Sequence, residues 1–343
     1  MVWNRWEVAA CTALLLASVC SAAPEGSKSD IQKEVLAFYY GWYDNPQTKW
    51  GDVDQVEKRI SNTAHFPQLG TYRSHDLKII QQHCAWAKQA GITGFIWSYA
   101  SWKHEDNQSI PQMLDAAQES GLHLTAYYES VPKMQPEEAV KDIVGLLDRY
   151  AKHPAWLKVR GKPVLFVYGR AVHQINWDGW QKVIAGVNAK YPGGALFLGD
   201  GITQECARVF DGVHTYNITA RTAGMSADEL RAWAHKMYSR AVTVAGDRIS
   251  CVTVIPGYDD THAPGRTPPR PTTDRHEGMT YRVLWEEAIA ARPNWILITS
   301  WNEWFEGSEI EPSVENGGAA LKTTEEFARK FPGREAQTSS HPH

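Results

Sequence analysis

Short apolar runs alternate with stretches of helical periodicity along this chain, the pattern of a parallel sheet with crossover helices. The runs Val35–Tyr40, Gly94–Tyr99, Leu122–Tyr128, Pro163–Tyr168, Ala195–Gly199, Gly212–Tyr216, Cys251–Ile255 and Trp295–Ser300 predict eight strands. Between them the faces and ends of helices can be read. Leu230, Trp233, Ala234, Met237, Tyr238 and Ala241 recur at helical spacing behind a capping box of Ser226 and Glu229, with Met225 and Leu230 placed as a hydrophobic staple. Pro136 opens a helix carrying Val140, Ile143, Val144 and Leu147, and Ile110, Met113, Leu114 and Ala117 lead to a stop at Gly121. No glycine-rich nucleotide turn follows the first strand, so the pattern predicts one closed (β/α)8 barrel over residues 34–331 rather than an open doubly wound sheet.

A barrel of this kind places its chemistry at the carboxyl ends of the strands. Those ends read Tyr39-Tyr40-Gly41-Trp42-Tyr43, Trp97-Ser98-Tyr99, Tyr127-Tyr128-Glu129, Tyr168-Gly169-Arg170, Asp200, His214-Thr215-Tyr216, Pro256-Gly257-Tyr258-Asp259-Asp260 and Trp301-Asn302-Glu303-Trp304-Phe305-Glu306. Aromatics and carboxylates gather on one face. The composition agrees: 15 Trp and 14 Tyr against 9 Phe favour rings with a polar handle, which suit the C–H faces and hydroxyl rims of sugars. A net charge of −4 calls for neither nucleic acid nor an anionic membrane surface, and a neutral partner fits better.

Glycosidic bond cleavage needs a proton donor for the leaving oxygen and a second carboxylate at the anomeric centre. Glu303 and Glu306 follow the eighth strand three residues apart, on one side of any helical turn there, and Trp301, Trp304 and Phe305 would shield them from water and raise a carboxyl pKa. The plainer reading is that two glutamates satisfy a helix start; it leaves the aromatics and the barrel position unexplained. Glu129, a single charge after Tyr127 and Tyr128, needs a ligand hydroxyl or a cation and is expected to bind substrate. Tyr40, Tyr99, Tyr168, Tyr216 and Tyr258 could each be rim packing, and together read as a sugar-binding rim. Glu309 and Glu311 are expected to face solvent or hold a loop. The 259–278 loop, rich in Pro and Arg, is long for its place and reads as a flexible insert or a substrate cover.

Thirteen histidines show no ligand-like spacing, with His104-Glu105-Asp106 and His276-Glu277 reading as solvated loop segments, and no metal or cofactor is implied. Arg5, the apolar run 8–19 and the small residues Cys20-Ser21-Ala22 predict a signal peptide over 1–22, hence a secreted or periplasmic protein. Twelve apolar residues fall short of the about 20 a spanning helix needs, so stable membrane insertion is not expected; an uncleaved anchor is the alternative. Residues 23–33 read as a flexible linker and 332–343 as a flexible tail. Cys84, Cys206 and Cys251 would remain after cleavage, an odd number without CxxC spacing, and are expected as buried thiols. Nothing in the sequence sets the oligomeric state.

The segment Ile298-Thr-Ser-Trp-Asn-Glu-Trp-Phe-Glu-Gly-Ser-Glu-Ile-Glu-Pro312 resembles the signature of glycoside hydrolase family 99, the endo-α-mannosidase and endo-α-mannanase family. Phe38-Tyr-Tyr-Gly-Trp-Tyr-Asp-Asn-Pro46, Phe210-Asp-Gly-Val-His-Thr-Tyr216 and Pro256-Gly-Tyr-Asp-Asp-Thr261 are similar to further family blocks in the same order. The resemblance implies a metal-independent, retaining, endo-acting cleavage of α-mannosidic linkages in a mannose-containing oligo- or polysaccharide. It also implies roles: Glu303 as the base that deprotonates the sugar's own 2-hydroxyl, Glu306 as the acid, and a 1,2-anhydro sugar between them. Glu129, Tyr216 and Tyr40 match family positions, and Trp301, Asn302 and Trp304 fall within the signature as candidate substrate contacts. Phe305 stands where the family usually has His, Tyr-Glu-Ser replaces Ile-Glu-Pro at 128–130, and Tyr99 falls at a Trp/Tyr-variable position, so the glycan stays open. Two alternatives remain: a retaining glycosidase of another sugar specificity, and a non-catalytic carbohydrate-binding protein, which would be expected to lack one of the two glutamates.

Overall fold

In the computed structural model, residues 31–43, 49–102 and 105–331 are described. The expected signal peptide, the linker up to residue 30, Asp44-Asn45-Pro46, His104 and the tail lie outside the described residues. Among the described residues, eight parallel strands close into a barrel: β1 (Glu34–Tyr39), β2 (Gly94–Tyr99), β3 (His123–Tyr128), β4 (Lys162–Val167), β5 (Leu196–Asp200), β6 (Gly212–His214), β7 (Ile249–Val254) and β8 (Trp295–Ile298). β1 lies between β2 and β8, pairing Leu36 with Gly94 and Val35 with Ile296; closure comes between β3 and β4, where Tyr127 pairs with Phe166. A short antiparallel strand, Lys158–Val159, feeds into β4.

Helices intervene between successive strands: α1 (Leu77–Gln89), α2 (Ile110–Ser120), α3 (Pro136–Tyr150), α4 (Gly169–Lys190), α5 (Gln204–Val209), α6 (Thr219–Thr222), α7 (Ala227–Ala245), α8 (Met279–Ala291) and, after β8, α9 (Ala319–Lys330). Their ends follow local chemistry. Ser226 accepts from the Glu229 backbone N–H while the Glu229 side chain accepts from the Ser226 backbone N–H, the full capping box for α7. Pro136 sits in the first turn of α3, and Gly121 closes α2 in the left-handed region that glycine enters without a Cβ clash.

The period-2 alternation of each strand divides the core in two. Val35, Ala37 and Tyr39 of β1 and Phe95, Trp97 and Tyr99 of β2 face outward into the layer between barrel and helices. Leu36, Phe38, Ile96, Tyr127, Val164, Phe166, Leu198, Trp295 and Leu297 fill the barrel interior. Cys84 and Cys206 belong to the outer layer, where burial pushes each thiol up to about 12, and Cys251 to the interior; all three are buried without a disulfide among the described residues. No helix of the described residues is long and apolar enough to cross a membrane.

Candidate active site

After β8 the chain folds back on itself. The Ser300 N–H donates to the Ser308 carbonyl, Ile310 N–H to Ser300 and Glu311 N–H to Trp301, so residues 300–311 form a closed loop with its tip at the barrel mouth. The tip is a single 3-10 turn, Trp304–Glu306, ended by Gly307 at φ 55°, where an added Cβ would come within 3.0 Å of the Asp259 carbonyl oxygen. Glu303 caps the turn, its Oε1 accepting from the Phe305 N–H at 3.2 Å, while its own N–H donates to Ser300 Oγ at 2.8 Å. The plain helix-start reading therefore accounts for part of Glu303. It does not account for Glu306, which lies at the other end of the turn.

Glu306 faces tyrosines. Tyr40 donates its hydroxyl proton to Tyr216 Oη (2.6 Å), and Tyr216 donates to Glu306 Oε2 (2.9 Å), a relay from the end of β1 through the segment after β6 to the turn after β8. Burial raises the Glu306 carboxyl above its ordinary range, opposed by the Tyr216 and Tyr258 hydroxyls and by Arg266, whose guanidinium lies 3.5 Å from Oε1. Tyr40 and Tyr216 are themselves raised, first by burial and then by the surrounding glutamates, so both stay protonated donors.

Behind the turn lies a buried, hydrogen-bonded scaffold. Asn302 receives the Tyr40 N–H at Oδ1 and donates through Nδ2 to the Tyr40 carbonyl and Tyr72 Oη. Trp304 Nε1 also donates to Tyr72 Oη, which in turn donates to Glu311 Oε2 at 2.8 Å. Glu311 pairs with His83 at 3.1 Å, and both are buried. Asn302 and Trp304, expected as substrate contacts, thus spend their polar atoms on holding the 300–311 loop. Glu311 and Glu309, for which solvent exposure was one expectation, are buried instead; Glu309 pairs with His65 (2.8 Å) and with Arg275 of the 259–278 loop (2.7 Å), the loop-holding role.

The facing wall comes from β3, β4 and β5. Glu129 Oε1 accepts from Ser98 Oγ (2.9 Å) and Oε2 from Arg170 (3.0 Å), which supplies the cation its burial demands. Tyr127, Tyr168 and Tyr216 stand with ring centroids 5.2–5.9 Å apart and line the same side. Asp200, at the end of β5, meets Tyr127 and the Gly169 N–H. Two residues expected to bind substrate, Tyr99 of the rim set and Trp301 of the signature segment, lie elsewhere. Tyr99 points outward, stacks on Tyr128 and reaches Asp142 of α3; Trp301 packs in the outer layer against His83 and Phe95. For Tyr99 strand parity is the reason, since at the end of β2 the inward residue is Ser98; Trp301 lies past the end of β8, beyond the strand's alternation.

The loop after β7 is tied in place rather than a loose insert. Tyr258 bridges to Thr273, Asp260 is buried between Arg270 and Arg266, and the Asp259 N–H donates to the Glu306 carbonyl at 2.8 Å. Tyr258 donates to Asp260 Oδ2 and also faces Glu306, so this loop forms the wall beside the turn. Sequence reasoning assigned no role to Ser98, Arg170, Arg266 or Asp260; only the closed barrel shows which carboxylate each one meets.

Two carboxylates on one turn at the mouth of a (β/α)8 barrel, one part-buried among tyrosine hydroxyls and the other buried and capping the turn, match what glycosidic bond cleavage needs. The family model described as glycosyl hydrolase family 99 matches residues 50–325, and the chain belongs to that family; it is a glycoside hydrolase. Similar curated proteins are the glycoprotein endo-alpha-1,2-mannosidase of Rattus norvegicus, 24% identical over 82% of this chain and 68% of that protein, and that of Xenopus laevis, 27% identical over 83% and 71%. Among solved structures, the GH99 endo-alpha-mannosidase from Bacteroides thetaiotaomicron superposes with a TM-score of 0.71 at 25% identity, covering 88% of this chain and 98% of that one.

Proposed function

We propose that the enzyme is a retaining, endo-acting α-mannosidase that cuts internal α-mannosidic bonds, on the α-1,2-linked side of a mannose-containing glycan, through a 1,2-anhydro sugar. The observation that carries this reading is the unequal setting of the two glutamates. Glu306 is raised by burial and surrounded by hydroxyl donors with one cation at a distance, which suits an acid that must hold and then release a proton. Glu303 accepts from a backbone N–H, which orients it as a base.

The steps follow from these positions. Glu303 takes the proton of the sugar's 2-hydroxyl, O2 attacks C1, and the C1–O bond to the leaving sugar breaks as Glu306 protonates the departing oxygen. In the second step Glu306, now a carboxylate, takes a proton from water; the water oxygen attacks C1, the epoxide C1–O2 bond breaks, and Glu303 returns its proton to O2. Two inversions give net retention. In an α-mannoside the axial O2 lies anti to the leaving group, and a nucleophile held within the substrate has a high effective concentration.

The test is digestion of a panel of defined α-mannosides with product sizes and the anomer first formed read by NMR. Release of oligosaccharides with an α-reducing end supports the reading; single mannose units from chain ends, or a β-anomer, would contradict it. Export belongs to the same proposal, and secreted protein whose N-terminus begins at Ala23 would bear it out.

A further inference from the structure

Asp200 is a carboxylate at the mouth that the proposed mechanism does not use. Leu198 and Asp200 share the inward parity of β5, and Asp200 pairs in register with the inward-facing His214 of β6. Its Oδ2 accepts from the Gly169 N–H at 3.1 Å and, at the 3.5 Å limit, from the Tyr127 hydroxyl, and the Tyr216 backbone N–H adds to them. Gly169 permits this approach, since a Cβ there would stand 3.0 Å from Oδ2. The other carboxylates whose cations are visible at this mouth, Glu129, Asp260 and Glu306, face Arg170, Arg270 and Arg266. Among the described residues no arginine or lysine forms an ion pair with Asp200, and the residue stays partly exposed among the tyrosines. A carboxylate can accept about four hydrogen bonds, so Asp200 has capacity left on the side that opens to the mouth.

We propose that Asp200 is a specificity-determining residue that accepts hydrogen bonds from a hydroxyl of the bound glycan on the β4–β6 side of the mouth. This rests on the reading of the mouth as a glycan site and adds to it a contact on the wall away from the catalytic turn. Burial pushes the Asp200 carboxyl up to about 7, a position that a purely structural carboxylate would have been better off replacing. Of the groups around it, His214 of β6 is lowered to about 3, Cys206 of α5 is raised to about 12, and Tyr127, Tyr168 and Tyr216 are raised from 10; the carboxylates Glu129 and Glu306 act on the same tyrosines. Burial raises Glu306 as well, so the part of any inflection in substrate recognition that belongs to Asp200 is the part that Asp200→Asn abolishes, with tighter recognition above it, where the anion accepts the hydroxyl proton.

The competing role is structural: Asp200 satisfies the first N–H of α4. Asp200→Asn keeps a carbonyl oxygen for that N–H and removes the charge, so it separates the two roles, and Asp200→Ala removes both. Steady-state kinetics on an α-1,2-linked mannotetraose and its monodeoxy analogues, for wild type and both variants from pH 5 to 9, form the test. The expected result is a roughly 10- to 100-fold fall in kcat/KM for Asp200→Asn, carried by KM, with loss of the inflection near pH 7. One monodeoxy analogue should suffer a similar loss with wild type and little further loss with Asp200→Asn. Wild-type turnover combined with unchanged kcat/KM and pH profile in Asp200→Asn overturns the role of Asp200 alone. Absence of wild-type turnover on the tetrasaccharide overturns the proposed activity together with it.

Discussion

The β8 wall and the β3–β5 wall of the mouth both present carboxylates, and they hold them in opposite ways. On the β8 wall Glu306 meets tyrosine hydroxyls, and Arg266 stands off at 3.5 Å; on the facing wall Glu129 is clasped directly by Arg170 at 3.0 Å. A directly paired carboxylate is fixed in its ionised form, good for holding a hydroxyl and poor at passing a proton. A carboxylate held chiefly by tyrosine hydroxyls, with burial raising it against one more distant guanidinium, keeps both protonation states within reach. On the proposed mechanism the contrast separates chemistry from recognition, and it can be attacked by substitution.

The largest effect is expected at the turn. Glu306→Gln and Glu303→Gln should each lower kcat by roughly 10²–10⁴ with ligand binding largely kept, because the amide preserves shape without exchanging the proton; near wild-type turnover in a folded variant would remove that residue from the mechanism. Tyr72→Phe attacks the scaffold, deleting the hydroxyl that joins Asn302, Trp304 and Glu311. It leaves buried donors unpaired and should cost about 1–3 kcal/mol in denaturant unfolding and lower kcat more than it raises KM. Arg170→Met on the facing wall should do the reverse, raising KM roughly tenfold with kcat little changed; a kcat-dominated loss there would erase the distinction between the walls.

Smaller and more diagnostic is Arg266→Gln. Arg266 favours ionised Glu306, so its removal should raise the pKa of the acid further, and activity, lost as pH rises through that pKa, should persist to higher pH. The shift should stay below about one unit, since the guanidinium is partly solvated. Stability tests Asp200 separately. Its folded pKa of about 7 lies above the ordinary value near 4, so the unfolded chain ionises first and wild-type stability falls as pH rises from about 4 to about 7. Asp200→Asn should flatten that part of the curve, by up to about 4 kcal/mol.

The strands were legible because each is a short apolar run buried on both faces, and all eight predicted runs end within two residues of the observed strands; at β6 and β8, Tyr216 and Ser300 lie just past the ladder. Within the site, Glu303, Glu306, Tyr40, Tyr216 and Glu129 could be placed at strand ends from sequence. Tyr99 and Trp301 could not be told from rim residues by position alone; carrying the alternation of Phe95, Trp97 and Tyr99 to the end of β2 would have turned Tyr99 outward. For Glu309 and Glu311 the sequence left solvent exposure and a loop-holding role both open, because their partners, His65, Arg275, His83 and Tyr72, arrive from segments far along the chain. Which cation meets which carboxylate is a property of barrel closure, and no local pattern carries it.

The central claim is that the substrate supplies its own nucleophile while Glu303 only removes a proton. An α-mannoside whose cleavage-site sugar lacks the 2-hydroxyl, or carries it as a methyl ether, tests this most directly. The account predicts that such a compound binds, seen as competitive inhibition of the parent substrate, and is not turned over. Turnover at a rate comparable with the parent would contradict it and return Glu303 to the role of a direct nucleophile.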